Sequence, residues 1–273
     1  MRVALVSDNQ LVKKDIRPCP AKGTKEEVLH QLEEQIAQLM NSEVTSIGVG
    51  VPSVVDCIKG IVYNVANIPS WDEVHLKALL EERFGIPVQV NNDANCFALG
   101  VWNFGEGQES GCSELPLRSP KNMVGLTMGT GIGAGIIIDG HLYNGLNTCA
   151  GEIGSLPFKD ADYEFYCSSR FFTHCHGETG KTFHERAIAG DEHAKEVWRE
   201  FGSNVGELIK AVMFTFAPDS IIIGGGIASA FPLFEESMKE TIASFPYPAN
   251  VRETRIAPST LADAALLGAS TLI

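Results

Sequence analysis

Apolar and polar positions along this chain alternate between a period of two and a helical period, and the switches set out an order of elements. Residues 2–6 form a short apolar strand, and Ser7-Asp8-Asn9 reads as a hairpin turn into Gln10–Ile16. Pro18, Pro20 and Gly23 break the pattern, and Thr24 with Glu27 three residues on has the form of a capping box. Val28, Leu29, Leu32, Ile36 and Leu39 then fall on one helical face. Residues 46–52 read as a strand closed by glycines and a proline, and Ile61–Tyr63 as another. Residues 73–84 are expected to be helical, stopped by Gly85 and Pro87. Residues 88–90 form a buried strand that runs into Asn91-Asn92-Asp93-Ala94-Asn95, and a helix is expected over 96–104.

Residues 106–120 are rich in Gly, Ser and Pro and read as a surface excursion near a domain boundary. A second cycle follows: strand Met123–Met128, a glycine loop, strand 135–139, an Asp-Gly turn and strand 141–143. Residues 163–216 are mainly helical, 219–223 form a buried strand ending in three glycines, and helices are expected over 231–244 and 261–270. Hairpin strands followed by helix and strand in both halves predict an α/β fold with a weak structural duplication.

Composition narrows the classes. With 273 residues the chain makes one large domain or two small ones, and 44% hydrophobic with 20% charged residues is globular. A net charge of −13 repels phosphate backbones, so general nucleic-acid binding is not expected. Seven cysteines with no Cys-x-x-Cys pair read as reduced thiols, and hence a cytoplasmic protein. The N-terminal residues lack a signal-peptide pattern. The longest weakly polar run, 221–234, carries three glycines and a proline. It is shorter than the ~20 apolar residues a bilayer span needs, so no membrane role is expected.

The run Gly129-Thr130-Gly131-Ile132-Gly133-Ala134-Gly135 invites a dinucleotide-binding reading, but that needs a helix after the loop. Ile136-Ile137-Ile138 and an Asp-Gly turn follow instead, so the glycines sit between two strands. Such a turn is either an anion-binding nest or an ordinary glycine-rich hairpin. Gly224-Gly225-Gly226 is either a surface for close ligand approach or a tight strand-to-helix turn. Asp93 follows a buried strand, the place where α/β sheets line ligand crevices, and is either a general base or a helix cap. Glu152 lies between glycines, open to a polyhydroxylated ligand or simply solvated, and Glu164 opens a helix, where the dipole favours it. Cys167, His174, Cys175 and His176 match no zinc spacing, so no structural zinc is expected.

Taken together, these segments resemble the ROK family (repressors, open reading frames and sugar kinases) of the actin-like superfamily. Gly48-Val-Gly-Val-Pro52 with Val55-Asp56 is similar to the family's Gly-x-Gly-x-Pro-Gly-x-Val-Asp segment, with Ser53 for a glycine. Residues 66–71 resemble its Pro-Asn-Leu-x-x-Trp stretch, and Asn92-Asp93-Ala94-Asn95 the segment with its catalytic aspartate. The run 129–135 resembles its second phosphate loop, 224–226 its adenosine-side glycines, and Ala150-Gly151-Glu152-Ile153-Gly154 its sugar-binding segment. Glu164, Tyr166, Ser168 and Arg170 resemble the stretch beyond the family's zinc loop, and Leu266-Leu267-Gly268-Ala269 its C-terminal helix. Three features depart from the pattern. Ser155 replaces a zinc-ligating histidine, the zinc loop between Pro157 and Glu164 is missing, and residues 1–6 match the strand after the family's first phosphate loop.

The resemblance implies a two-domain actin-like (ribonuclease H-like) sugar kinase fold. Its smaller domain would span residues 1–119, joined by a returning C-terminal helix in 258–273, and its larger domain 120–257. It implies ATP and Mg²⁺ as cofactors, sugar and nucleotide as ligands, and a homodimer. Asp93 would be the catalytic base, Asn92, Glu152 and Glu164 would bind the sugar, and Gly129, Thr130, Gly131, Ile132, Gly133, Gly135, Gly225 and Gly226 the nucleotide. The expected reaction is phosphorylation of a hexose primary hydroxyl, with glucose the family default. The competing expectation is a sugar-binding protein impaired in catalysis for want of the first loop; a repressor would need a helix-turn-helix ahead of residue 1.

Overall fold

The computed structural model of the chain describes residues 1–108 and 120–273. The expected domain boundary at Ser119 and Cys112 lie outside the described residues. The chain opens with an antiparallel hairpin, β1 (Arg2–Ser7) and β2 (Gln10–Ile16). Asp8 and Asn9 at its turn both adopt left-handed φ, of 49° and 63°, the conformation short polar side chains tolerate in such turns. Helix α1 (Lys25–Leu39) starts with the reciprocal Thr24–Glu27 box and buries Val28, Leu32, Ile36 and Leu39, its expected face. Strand β3 (Ile47–Val51) leads into β4 (Val54–Asp56), β5 (Ile61–Tyr63) and β6 (Glu73–Val74), the last three an antiparallel sheet. Residues 73 and 74 are thus strand, where helix was expected. Val74 pairs with Val62 and both are fully buried, so cross-strand packing outweighs the helical pattern. Helix α2 (Leu76–Phe84) follows and ends at Gly85, whose φ is 71°.

Strand β7 (Val88–Asn92) pairs in parallel with β3, Val51 opposite Asn92. The β1–β2 and β3–β7 ladders are not hydrogen-bonded to each other. Helix α3 runs Asp93–Phe104, starting three residues earlier than the apolar pattern indicates, because the Asn92 side chain accepts hydrogen bonds from the Ala94 and Asn95 amides. Beyond residue 120 come β8 (Met123–Met128), β9 (Ile132–Ile138) and β10 (His141–Leu142), then the small hairpin β11 (Pro157–Phe158) and β12 (Ala161–Asp162). Helix α4 (Tyr163–Cys167), a π-helical turn over Phe171–Cys175, α5 (Gly180–Ile188) and the long α6 (Glu192–Phe216) lead to β13 (Ser220–Gly224). The chain finishes with α7 (Phe231–Ile242), α8 (Pro248–Glu253), β14 (Arg255–Pro258) and α9 (Ala264–Ala269).

The larger sheet has the order β10-β9-β8-β13-β14, with β13 parallel to both neighbours. Its two faces alternate along each strand. Val124, Leu126, Ile221 and Ile223 meet a core with Phe171, Phe172, Trp198, Phe201 and Phe234. Met123, Ile137 and Ile222 meet Phe97, Ala98, Val101 and Trp102 of α3 together with Ala264. Helix α9 crosses α3 at close range: a Cβ placed on Gly100 would lie 1.9 Å from the Ala264 carbonyl oxygen. On its other side α9 approaches β3, where a Cβ on Gly48 would lie 1.8 Å from the Ala269 oxygen. The α3–α9 pair therefore separates the β3–β7 ladder from the five-stranded sheet. Among the described residues no helix is long and apolar enough to cross a membrane.

Candidate active site

Three turns converge at the carboxyl ends of β7, β8 and β13, where α/β sheets place ligand crevices. Asp93 is the first residue of α3, directly after β7. Burial raises its pKa, partly offset by the amides of Ala94 and Asp93 itself and by the charge of Arg2. The Asn92 side chain caps α3 through its oxygen and donates from Nδ2 to the Ser53 carbonyl at 3.2 Å. Its side chain therefore shapes the corner that carries Asp93, with one Nδ2 hydrogen not engaged by that bond. The Asn91 oxygen accepts from the Asn92 amide at 2.8 Å and from Asn95 Nδ2 at 2.9 Å. Asn91 and Asn95 both donate to Asn144 Oδ1, at 3.0 and 3.2 Å.

The glycine run divides into two parts with different jobs. Gly129-Thr130-Gly131 forms the turn between β8 and β9, and the Gly129 amide donates to the Gly131 oxygen at 3.0 Å. Gly129 faces open space: a Cβ there would meet nothing within 4 Å. Gly133 and Gly135 lie inside β9 under α3. A Cβ on Gly133 would lie 2.9 Å from the Ala94 Cβ, and one on Gly135 2.5 Å from the Ala94 oxygen. Close packing of strand on helix requires glycine at both positions. The same packing holds the first turn of α3, and so Asp93, over β9.

Gly225 has φ 85°, and a Cβ there would fall 2.3 Å from the Met128 oxygen, so the second glycine turn seats against the end of β8. Gly226 opens to space, with nothing within 4 Å of a Cβ. Two glycine-walled openings thus stand side by side at the ends of neighbouring strands. Their bare backbone suits the close approach of a phosphorylated nucleotide.

Glu152 follows Gly151, whose φ of 94° and virtual Cβ contact of 2.1 Å with the Ala134 oxygen leave room for glycine alone. Burial raises the Glu152 pKa, and the nearby charge of Glu164 raises it further. Glu164 Oε2 accepts from the Ile132 amide at 3.1 Å, and Oε1 pairs with Arg170 at 3.2 Å. The Ser169 amide donates to the Gly129 oxygen at 2.8 Å. Ile132 thus meets the site through the hydrogen bond its backbone N–H donates to Glu164, and the segment 164–170 is fastened to the glycine turn at both ends. Thr148 Oγ1, buried in the same loop as Asn144, accepts from the Val55 amide at 3.0 Å and ties that loop to β4. Asn144 and Thr148 read in sequence only as polar turn residues, Asn144 beside Gly145 and Thr148 beside Asn147. Only their partners, distant along the chain, give them meaning.

Cys167 is fully buried in the core of the larger sheet, Cys175 is exposed, and His176 pairs with Glu200 at 3.4 Å. Among the described residues no group of three or more His, Cys, Asp or Glu side chains converges as a metal site.

The model of the ROK family matches residues 1–273. A glucokinase of Thermotoga maritima is 28% identical over 99% of this chain and 93% of its own length. A xylose repressor of Bacillus subtilis is 25% identical over 92% of this chain and 67% of the repressor. The crystal structure of a ROK family glucokinase from Streptomyces griseus, in complex with glucose and AMPPNP, superposes with a TM-score of 0.79. It is 24% identical, covering 98% of this chain and 94% of that one, so the shared fold is the two-domain actin-like α/β fold.

Proposed function

The chain belongs to the ROK family, and we propose that it is an ATP-dependent sugar kinase acting on the primary hydroxyl of a hexose, with glucose the first substrate to test. The observation that carries this reading is the placement of Asp93: a solvent-accessible carboxylate at the end of β7, desolvated enough to raise its pKa, on a helix packed against the strand that leads from the glycine turn. ATP, when bound with Mg²⁺, supplies the phosphoryl group and the charge that offsets its oxygens. The chain's own task is positioning and electrostatics, because phosphoryl transfer asks little covalent chemistry of the protein. Asp93 accepts the proton of the attacking hydroxyl, and its raised pKa improves it as a base. Glu152 and Glu164 receive hydrogen bonds from the other ring hydroxyls. The amides of the 129–131 turn and the openings at Gly129 and Gly226 receive the nucleotide. Closure about the α3–α9 layer excludes water from the reaction.

Similarity to the xylose repressor favours one other reading, a protein that binds sugar without phosphorylating it. An ATP-coupled assay across a panel of hexoses, beside calorimetric titration of the same sugars, separates the two. Turnover of a hexose supports the kinase. Sugar binding with no turnover at any ATP and Mg²⁺ concentration refutes it in favour of the binding protein.

A further inference from the structure

Asn144 lies outside the groups that would touch sugar or nucleotide, yet it is bonded to both sides of Asp93. Its Oδ1 receives Asn91 Nδ2 at 3.0 Å and Asn95 Nδ2 at 3.2 Å, and both donors belong to almost fully buried residues. Asn91 closes the triangle by accepting from Asn95 and from the Asn92 amide. Asp93 therefore lies along the chain between two residues whose side chains share one acceptor. That acceptor begins the loop leading through Thr148 to Glu152, and the Asn144 carbonyl accepts the Ala150 amide at 3.2 Å within it.

We propose that Asn144 is a positioning residue, which locks the β7–α3 corner against the loop bearing Glu152 and so fixes the base relative to the sugar carboxylates. This rests on the kinase reading for its catalytic consequence, but the lock itself does not. Asn144 acts as a double acceptor, so an aspartate can do the same work and an alanine cannot. Without the acceptor Asn91 Nδ2 loses its partner and Asn95 Nδ2 keeps only its bond to Asn91. A cavity of about 280 Å³, lined by Asn91, Asn144, Cys57, Leu99 and Leu142 among others, adjoins the corner and gives it room to shift. A shift of about 1 Å in a reacting group can cost about 100-fold in rate.

Two variants and two readouts test this. Asn144→Ala is expected to lower kcat about 10- to 100-fold with sugar affinity near wild type. Asn144→Asp is expected to keep most of the turnover, with the acid limb of its pH profile moved up by the added negative charge. The second readout needs no turnover: the Asp93 carboxyl titration followed by carbon NMR. Arg2 is the cation acting on Asp93, and the Cys96 thiol lies near it. Neither changes in the variants. The titration should move down in Asn144→Ala, as water reaches the loosened corner, and up in Asn144→Asp. If the wild-type chain phosphorylates no sugar, the kinase reading fails and the titration alone judges the lock. The proposal is overturned if Asn144→Ala leaves the Asp93 titration at its wild-type position, or if Asn144→Asp loses as much turnover as Asn144→Ala.

Discussion

Gly268→Ala adds one methyl group at the tightest helix crossing in the molecule's centre, and its effect can be worked from the geometry. The new Cβ would lie 1.7 Å from the Cys96 carbonyl oxygen and 2.5 Å from the Gly100 amide nitrogen. Real Cβ atoms essentially never come within 3.0 Å of such atoms, so α9 and α3 must part by about 1.3 Å. Both obstacles are backbone, so no side-chain rotation relieves them. Helix α3 is held between two sheets, and it cannot retreat without opening the contacts of Phe97, Val101 and Trp102. Overpacking of this kind costs about 1–3 kcal/mol, and a rigid backbone obstacle places it at the upper end. The better helix propensity of alanine returns about 1 kcal/mol. The net loss of about 2 kcal/mol lowers Tm by about 4–8 °C for a chain of this size. The displaced turn at Cys96 is also the turn that begins with Asp93, so kcat should fall as well, by about tenfold or more. Thermal melting and the coupled hexose assay measure both. A variant that melts within about 1 °C of wild type would refute the reasoning, because the helices would then have room that the geometry denies them.

Asp93→Asn should cost about 10²–10⁴-fold in kcat while sugar affinity persists, as measured by the coupled assay and calorimetry. It should also raise thermal stability at neutral pH. Burial puts the folded pKa of Asp93 above its unfolded value, so the folded state binds more protons and stability falls as pH rises from the ordinary aspartate value through the raised one. The stabilisation should therefore vanish in melts below the ordinary aspartate range. Glu106→Gln should destabilise by about 1–3 kcal/mol in urea unfolding, because the carboxylate holds the Thr260 amide and hydroxyl and the Ser259 hydroxyl. Burial raises the Glu106 pKa, but those bonds outweigh it and the net shift is downward. Its contribution is present at neutral pH and is lost as pH falls through the folded value, which the variant should no longer show. Metal analysis of the purified protein should find zinc well below stoichiometric, and a stoichiometric zinc would overturn that expectation.

Features that depend on near neighbours are the ones legible in the sequence. The Thr24–Glu27 box and the apolar face of α1 involve only residues a few positions apart, and they appear as the spacing predicts. The position of Asp93 at a strand end is readable for the same reason: Val88 and Val90 bracket a short β run that stops at two asparagines. What the pattern does not carry is partnership at a distance. Glu73 and Val74 look helical until β5 offers an edge to pair with. Gly133 and Gly135 are indistinguishable by composition from Gly129 and Gly131, and only the approach of Ala94, from an earlier helix, separates packing from turn. That the Asn92 side chain caps α3 depends on the helix starting three residues earlier than the apolar pattern indicates.

The two carboxylates proposed to meet the sugar, Glu152 and Glu164, are chemically alike in sequence and unlike in place. Glu164 is gripped from two sides, by the Ile132 amide and the Arg170 guanidinium, and both grips come from groups fastened to the glycine turn. Glu152 has burial and the charge of Glu164 pressing its pKa upward. Environment therefore separates the pair, with Glu164 held in place by its partners and Glu152 pressed toward its protonated form by burial and its neighbour's charge. That asymmetry bears on how a neutral sugar can sit among several carboxylates beside a polyanionic nucleotide. A sugar hydroxyl both donates and accepts, so it can bridge an ionised carboxylate and a protonated one, whereas a second anion could not. Arg170 meanwhile places a positive charge at the rim of the glycine turn, against the repulsion of Glu164. The fastening of 164–170 to Gly129 means that whatever moves the glycine turn also moves Glu164. Under the kinase reading proposed above, that one short stretch of chain would link nucleotide and sugar.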